Sequence, residues 1–185
     1  TSSSFIHDEP WLDFNSSQPW NRYELVYGMV TEDYTRTPAK PAVMAEAGYE
    51  GVKTLTPLII RKQAYWSYFA GGYHTYGNTN MWNFGTFAPE GTQDWKSAMH
   101  ASGARSLSVL VRFMKDIEWG KYEPSSGVRV RRGEFGSGNR THLAMRATDG
   151  SGIVIYVGVR DRVTLDLTKL EGVSRAKATW VDPRT

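Results

Sequence analysis

Lys40-Pro41-Ala42-Val43-Met44-Ala45-Glu46 is the stretch on which the fold turns. Pro41 cannot continue a helix, and the four apolar residues behind it are too few to make one, so they read as a short strand of a parallel sheet, buried on both faces. Glu46 follows at the point where that strand runs out, the end of an α/β sheet where reacting groups collect. By pattern alone it reads either as a catalytic carboxylate or as a cap or salt-bridge partner.

Outward from this strand, helical and strand-like segments alternate. Upstream, Leu25, Val26, Met29 and Val30 fall at helical spacing between about Asn21 and Tyr34, and Pro38 and Pro41 stop that helix. Downstream, Thr56-Pro57 is an N-cap followed by proline in the first helical position; Leu58, Ile59, Tyr65, Trp66 and Phe69 form the apolar stripe, and Gly71-Gly72 closes it. Tyr73 to Tyr76 is the next strand candidate. A third helical region runs from Asp94 to about Ile117, broken at Gly103, with Leu107, Leu110, Val111, Met114 and Ile117 as its stripe. This order predicts a parallel sheet with helical crossovers.

The texture changes at Tyr122-Glu123-Pro124-Ser125-Ser126-Gly127, a stretch of linker composition. Behind it come only short strand candidates: Val128 to Val130, His142 to Ala147, Ile153 to Val159, Val163 to Leu167 and Ala176 to Val181, with Asp149-Gly150-Ser151-Gly152 as a hairpin turn. The fold class expected is α/β followed by all-β, with a division into residues 1–122 and a small antiparallel sandwich over 123–185.

Composition narrows the chemistry. In 185 residues, 22 Lys and Arg stand against 19 Asp and Glu, an excess of only +3 with no broad basic face, which argues against a nucleic-acid partner. No window approaches 18 consecutive apolar residues, so no membrane span is expected, and no signal peptide is visible. The absence of Cys excludes disulfides, Cys-type zinc sites and thiol nucleophiles together. The four His are scattered without metal-ligand spacing, and phosphate loops, His-Glu-x-x-His and Gly-x-Ser-x-Gly are all missing, so no cofactor is implied. Against 7 Phe stand 7 Trp and 10 Tyr, amphipathic rings suited to stacking on sugars as well as to filling cores.

Three places gather candidate site residues. Glu46 closes the first strand. His74-Thr75-Tyr76-Gly77-Asn78 closes the next with polar donors, followed by Trp82, which reads as a sugar platform or as a plug over the mouth of the sheet. Phe5-Ile6-His7-Asp8-Glu9-Pro10-Trp11 concentrates a His, two acids and a Trp in a segment without secondary-structure period, a loop composition that is more often functional than structural. A lone His7 also fits a simple hydrogen-bonding role. Asn15-Ser16-Ser17 and Asn139-Arg140-Thr141 match the glycosylation tripeptide, which is too common to weigh.

Taken together, His7-Asp8-Glu9-Pro10-Trp11-Leu12-Asp13-Phe14-Asn15, Lys40-Pro41-Ala42-Val43-Met44-Ala45-Glu46-Ala47-Gly48-Tyr49-Glu50, Arg61-Lys62-Gln63-Ala64-Tyr65-Trp66 and His74-Thr75-Tyr76-Gly77-Asn78 resemble the apiosidase-like (β/α)8-barrel glycoside hydrolases, family 140 and its relatives. Ala147-Thr148-Asp149-Gly150 and Trp180-Val181-Asp182-Pro183-Arg184-Thr185 resemble the β-sandwich that follows that barrel, often labelled collagen-binding. The resemblance implies a retaining glycosidase acting on a plant or microbial polysaccharide or oligosaccharide, secreted or periplasmic. Glu46 matches its nucleophile at the end of strand seven, and His7, Asp8, Trp11, Tyr49, His74, Tyr76, Asn78 and Trp82 match its sugar-binding surroundings.

On that mapping, residues 1–15 are the loop after strand six, and strands one to five, with the acid/base, lie outside this sequence. A whole barrel takes about 250 residues, so the chain reads as a piece of a longer enzyme, inactive alone. Exposed strand edges and helix faces would then seek a partner, either the missing barrel half or a second copy. The rival reading is a non-catalytic module in which the sandwich binds carbohydrate or matrix protein.

Overall fold

The structure is a computed structural model that describes residues 1–52, 54–84, 94–125, 142–159 and 174–185. A short helix α1 (Ser3–Ile6) leads into β1 (Asn15–Ser17), a 3-10 turn at Tyr23–Leu25 and α2 (Val26–Tyr34), then β2 (Ala42–Met44), α3 (Pro57–Phe69) and β3 (Tyr73–His74). After α4 (Trp95–Ala98) and α5 (Ser102–Asp116), a second 3-10 turn at Trp119–Lys121 enters β4 (Tyr122–Pro124), β5 (Leu143–Ala147) and β6 (Ile153–Tyr156).

The first three strands form a parallel sheet in the order β1-β2-β3, with Ser17 opposite Met44 and Met44 opposite His74. Ala42 and Met44 are buried beneath α2 and α3, as the sequence predicts, but Val43 on the opposite face is only half-buried. β1 was not legible in the sequence because it is polar. Its Asn15 and Ser17 are nonetheless sealed against the helices: Asn15 bonds His7, and Ser17 Oγ donates to Asp33 of α2 over 2.6 Å. Thr1 and Ser3 donate to the same carboxylate, so a buried charge is surrounded by hydroxyl donors rather than left bare. Full burial of Asn15 also removes it as a glycan acceptor on this fold.

α3 begins where Thr56-Pro57 predicts, with Thr56 Oγ1 accepting from the Ile59 N–H, and it ends before Gly71, which adopts a positive φ of 89°. Its burial is wider than a single stripe: Ile60, Gln63, Tyr65, Trp66 and Phe69 are enclosed, while Leu58 is exposed and Ile59 is half-buried. The reason is that α3 has neighbours on several sides, α2 and β3 on one, α5 on another and the second sheet on a third. The antiparallel sheet, in the order β4-β5-β6, packs on it through Tyr156, whose ring stacks on Tyr65 at 4.3 Å and 16°, and Leu143 and Met145 join the same apolar cluster as Val26, Met44 and Trp66. Burial pushes the Tyr65 and Tyr156 phenols up to about 12.

Four expectations change. The helical break falls at residues 99–101, ahead of Gly103, which lies in the first turn of α5. Val111 of the expected stripe is exposed, whereas Leu110 and Met114 are buried. The linker-like Tyr122–Pro124 is paired with β5, at the edge of the sheet among the described residues, where the missing N–H of Pro124 is tolerated. Ala176 to Val181 lies exposed outside any ladder among the described residues, its alternation having no sheet to cover. The hairpin at Asp149–Gly152 forms as read: Gly150 takes φ 73°, Asp149 Oδ1 accepts from Ser151 N, and Ala147 N donates to Gly152 O. Val128 to Val130 and Val163 to Leu167 lie outside the described residues.

Candidate active site

Glu46 stands just past β2 at the carboxyl-terminal end of the parallel sheet, half-buried. Two neutral donors hold its carboxylate. Gln18, the residue after β1, donates from Nε2 to Glu46 Oε2, and the Tyr49 phenol bonds the same carboxylate. Burial, then the Glu46 bond and its charge, raise the Tyr49 pKa, so that phenol keeps its proton as a donor. The backbone here is fixed as well: Ala45 N and Glu46 N both donate to Ser17 O, and Thr75 Oγ1 donates back to Ala45 O. Three adjacent strands therefore fix the backbone that carries this carboxylate.

The loop after β2 is held by a buried amide. Gln63 of α3 accepts from Gly48 N at 2.8 Å and donates to Gly48 O at 3.1 Å, and a Cβ at Gly48 would collide with Leu55. Two residues on, Glu50 is a second carboxylate and is only 8% exposed. Its Oε2 accepts from Tyr76 OH at 2.6 Å and its Oε1 from Gly103 N at 2.8 Å, satisfying an otherwise orphan donor in the first turn of α5. Asn78 Nδ2 donates to Tyr76 OH at 3.0 Å, and burial together with the Glu50 bond pushes the Tyr76 phenol up.

The sequence-predicted residues thus divide by position. Glu46, Tyr49, Tyr76, Asn78 and Trp82 all lie on segments at the carboxyl-terminal end, Trp82 61% exposed and with its backbone N–H on Asn78 O. His74 turns toward the helices: the Ser67 hydroxyl donates to Gln63 O, so the 3.0 Å contact between Ser67 Oγ and His74 Nδ1 takes its proton from the ring, and burial pushes His74 down to about 3. His7, Asp8 and Trp11 sit at the opposite end of the sheet. There His7 is buried against Asn15, the first residue of β1, and Lys40 Nζ donates to His7 O and Glu9 O; Asp8 and Trp11 are exposed. The structure does not bring these three to Glu46. Sequence reasoning missed Gln18 and the role of Glu50; the signal for Gln18 was its place directly after a strand too polar to show a period, whereas Glu50 lies in the loop beyond β2, where no local pattern marks it.

The apiosidase-like catalytic-domain family model matches residues 1–121, from α1 through the 3-10 turn before β4. The chain belongs to the apiosidase-like family. A solved glycoside hydrolase family 5 protein from Bacteroides vulgatus superposes with a TM-score of 0.79 at 26% identity, over 92% of this chain and 43% of that one. A second solved structure, described as a glycoside hydrolase, gives 0.69 at 25% identity, over 80% of this chain and 40% of its own. The apiosidase-like chain thus spans about two-fifths of the length of these solved relatives. No curated protein is similar to it in sequence. Among the described residues, no helix is long and apolar enough to cross a membrane.

Proposed function

We propose that β1, β2 and β3 with their helices are part of a (β/α)8 barrel, and that Glu46 is the nucleophile of a retaining glycoside hydrolase acting on a plant or microbial polysaccharide outside the cytoplasm. The observation that carries this reading is the convergence of Gln18, Tyr49 and the end of β2 on a half-buried Glu46 in a chain of glycosidase-like family and fold. The chemistry suits the group. A carboxylate nucleophile must be ionised and aimed, and neutral amide and phenol donors orient it without neutralising it.

A retaining enzyme needs a second carboxyl about 5–5.5 Å from the first to protonate the leaving oxygen and later activate water. Glu50 does not fit that role, because both of its oxygens are engaged by Tyr76 and Gly103. The acid/base then comes from a part of the enzyme beyond these residues. The exposed Trp82 indole offers an apolar face for a sugar ring next to the Tyr76–Asn78 loop. In this reading β4, β5 and β6 belong to a sandwich accessory to the barrel.

The test is azide rescue in the protein that carries this chain. Glu46→Ala should lose turnover and regain it with azide, which attacks the anomeric carbon in place of the carboxylate and yields a glycosyl azide of inverted configuration. A product of retained configuration, or normal turnover without azide, would remove Glu46 from the nucleophile role.

A further inference from the structure

The geometry points to Glu50 as a positioning residue: its carboxylate locks the loop after β2 to the loop after β3 and to the first turn of α5, and so holds Tyr49 against Glu46. This deepens the reading of Glu46 given above and rests on it only for its consequence in catalysis.

The connections are local and continuous. Glu50 follows Tyr49 directly, and its main chain is tied to the loop after β3 on both sides, with Glu50 N donating to Gly77 O at 3.0 Å and Thr79 N donating to Glu50 O at 2.9 Å. Its side chain reaches further, to Tyr76 OH and to Gly103 N, joining three segments distant in sequence. Gly77 lies so close beneath the Tyr49 ring that a Cβ there would collide with it, so the loop after β3 forms the surface against which the ring is set. Gly103 is matched in the same way, since a Cβ on it would collide with the Glu50 carboxylate. If the Glu50 clamp is lost, the Tyr49 backbone and the floor under its ring are released together, and its phenol no longer has a fixed aim at Glu46.

A buried carboxylate on a helix N-terminus also stabilises that helix, so the test must separate capping from positioning. The full protein is labelled with tyrosine carrying 13C at the phenolic carbon, and Tyr49 is assigned by its loss in Tyr49→Phe. Its titration is then followed by NMR in the wild type, in Glu50→Gln and in Tyr76→Phe. The wild-type Tyr49 should titrate above the ordinary tyrosine value near 10, and both variants should move it down toward that value. An unmoved Tyr49 titration, with the fold retained and only the melting temperature lowered, would reduce Glu50 to a helix cap and overturn the proposal.

Should Glu50→Gln fail to fold, Tyr76→Phe decides alone, since it removes one arm of the clamp and leaves the Gly103 bond in place. Where turnover is measurable, the same variants should lower kcat by about 10- to 100-fold with KM nearly unchanged. The NMR result stands whether or not the protein cleaves glycosides, so failure of the positioning role and failure of the glycosidase reading are told apart.

Discussion

The two ends of the parallel sheet use similar residue types to opposite ends. At the carboxyl-terminal end, Glu46 keeps a half-buried carboxylate on two neutral donors, with the exposed Trp82 in the neighbouring loop. At the amino-terminal end and along its helix-facing side, His7, Asn15, Ser17 and Asp33 are sealed inside, where His7 Nδ1 pairs with Asn15 and Ser17 with Asp33 while His7 Nε2 is buried without a partner. Polar residues at a strand terminus are therefore not by themselves a sign of function. What separates the two groups is whether lone pairs remain directed at open space after the fold has satisfied itself.

Substitutions can break or sharpen this contrast. The largest effect should come from Glu46→Gln, with turnover of the full protein falling on the order of 10³-fold or more, equivalent to about 4 kcal/mol, and the melting temperature hardly changed. Unchanged turnover with a large loss of stability would erase the distinction between the ends. Asp33→Ala should do the reverse. With the hydroxyl of Ser17 left buried and unpaired and that of Ser3 left with Thr1 alone, urea denaturation should show a loss of about 3 kcal/mol, while turnover per folded molecule stays the same.

His74 supplies a pH test of the helix-facing side. Its pKa drops from 6.5 in the unfolded chain to about 3 in the fold, so below pH 6.5 the unfolded chain takes up a proton that the folded one refuses. Its neutral burial costs nothing above that pH. Stability should fall as pH drops from about 6.5 toward about 3, with His74 contributing a slope of about 1 kcal/mol per pH unit. Denaturation midpoints measured across this range should flatten in His74→Asn. The smallest effect is expected of Lys40→Met, which removes the two bonds to the His7 and Glu9 carbonyls at the rim of the amino-terminal end. It should cost less than about 1 kcal/mol in the same urea experiment and leave turnover untouched.

Legibility in the sequence followed how local each signal was. β2, the Thr56-Pro57 start of α3 and the Asp149–Gly152 hairpin were readable because apolar runs, caps and turn residues act within a few positions. β1 was not, because its burial is made possible by His7 and Asp33, partners that only tertiary structure supplies. The same holds for Glu50, whose neighbour Gly103 lies 53 positions away. Ala176 to Val181 carried a local strand signal with no ladder to join among the described residues. Of the candidate site, Glu46 was legible from its place after β2, while Gln18 and the inward turn of His74 required the packed sheet.

The stacking of Tyr65 on Tyr156 has a consequence for how such proteins are cut and recombined. The family match stops at residue 121, yet the apolar cluster runs on through Leu143, Met145 and Tyr156 onto the outer side of α3. A truncation at that point would bare Tyr65 and Phe69 to water, and a transplant of β4–β6 onto another scaffold would bare Tyr156 in turn. Heredity and cohesion draw their borders at different places in this chain, and α3 is inherited with the first sheet while it melts with both.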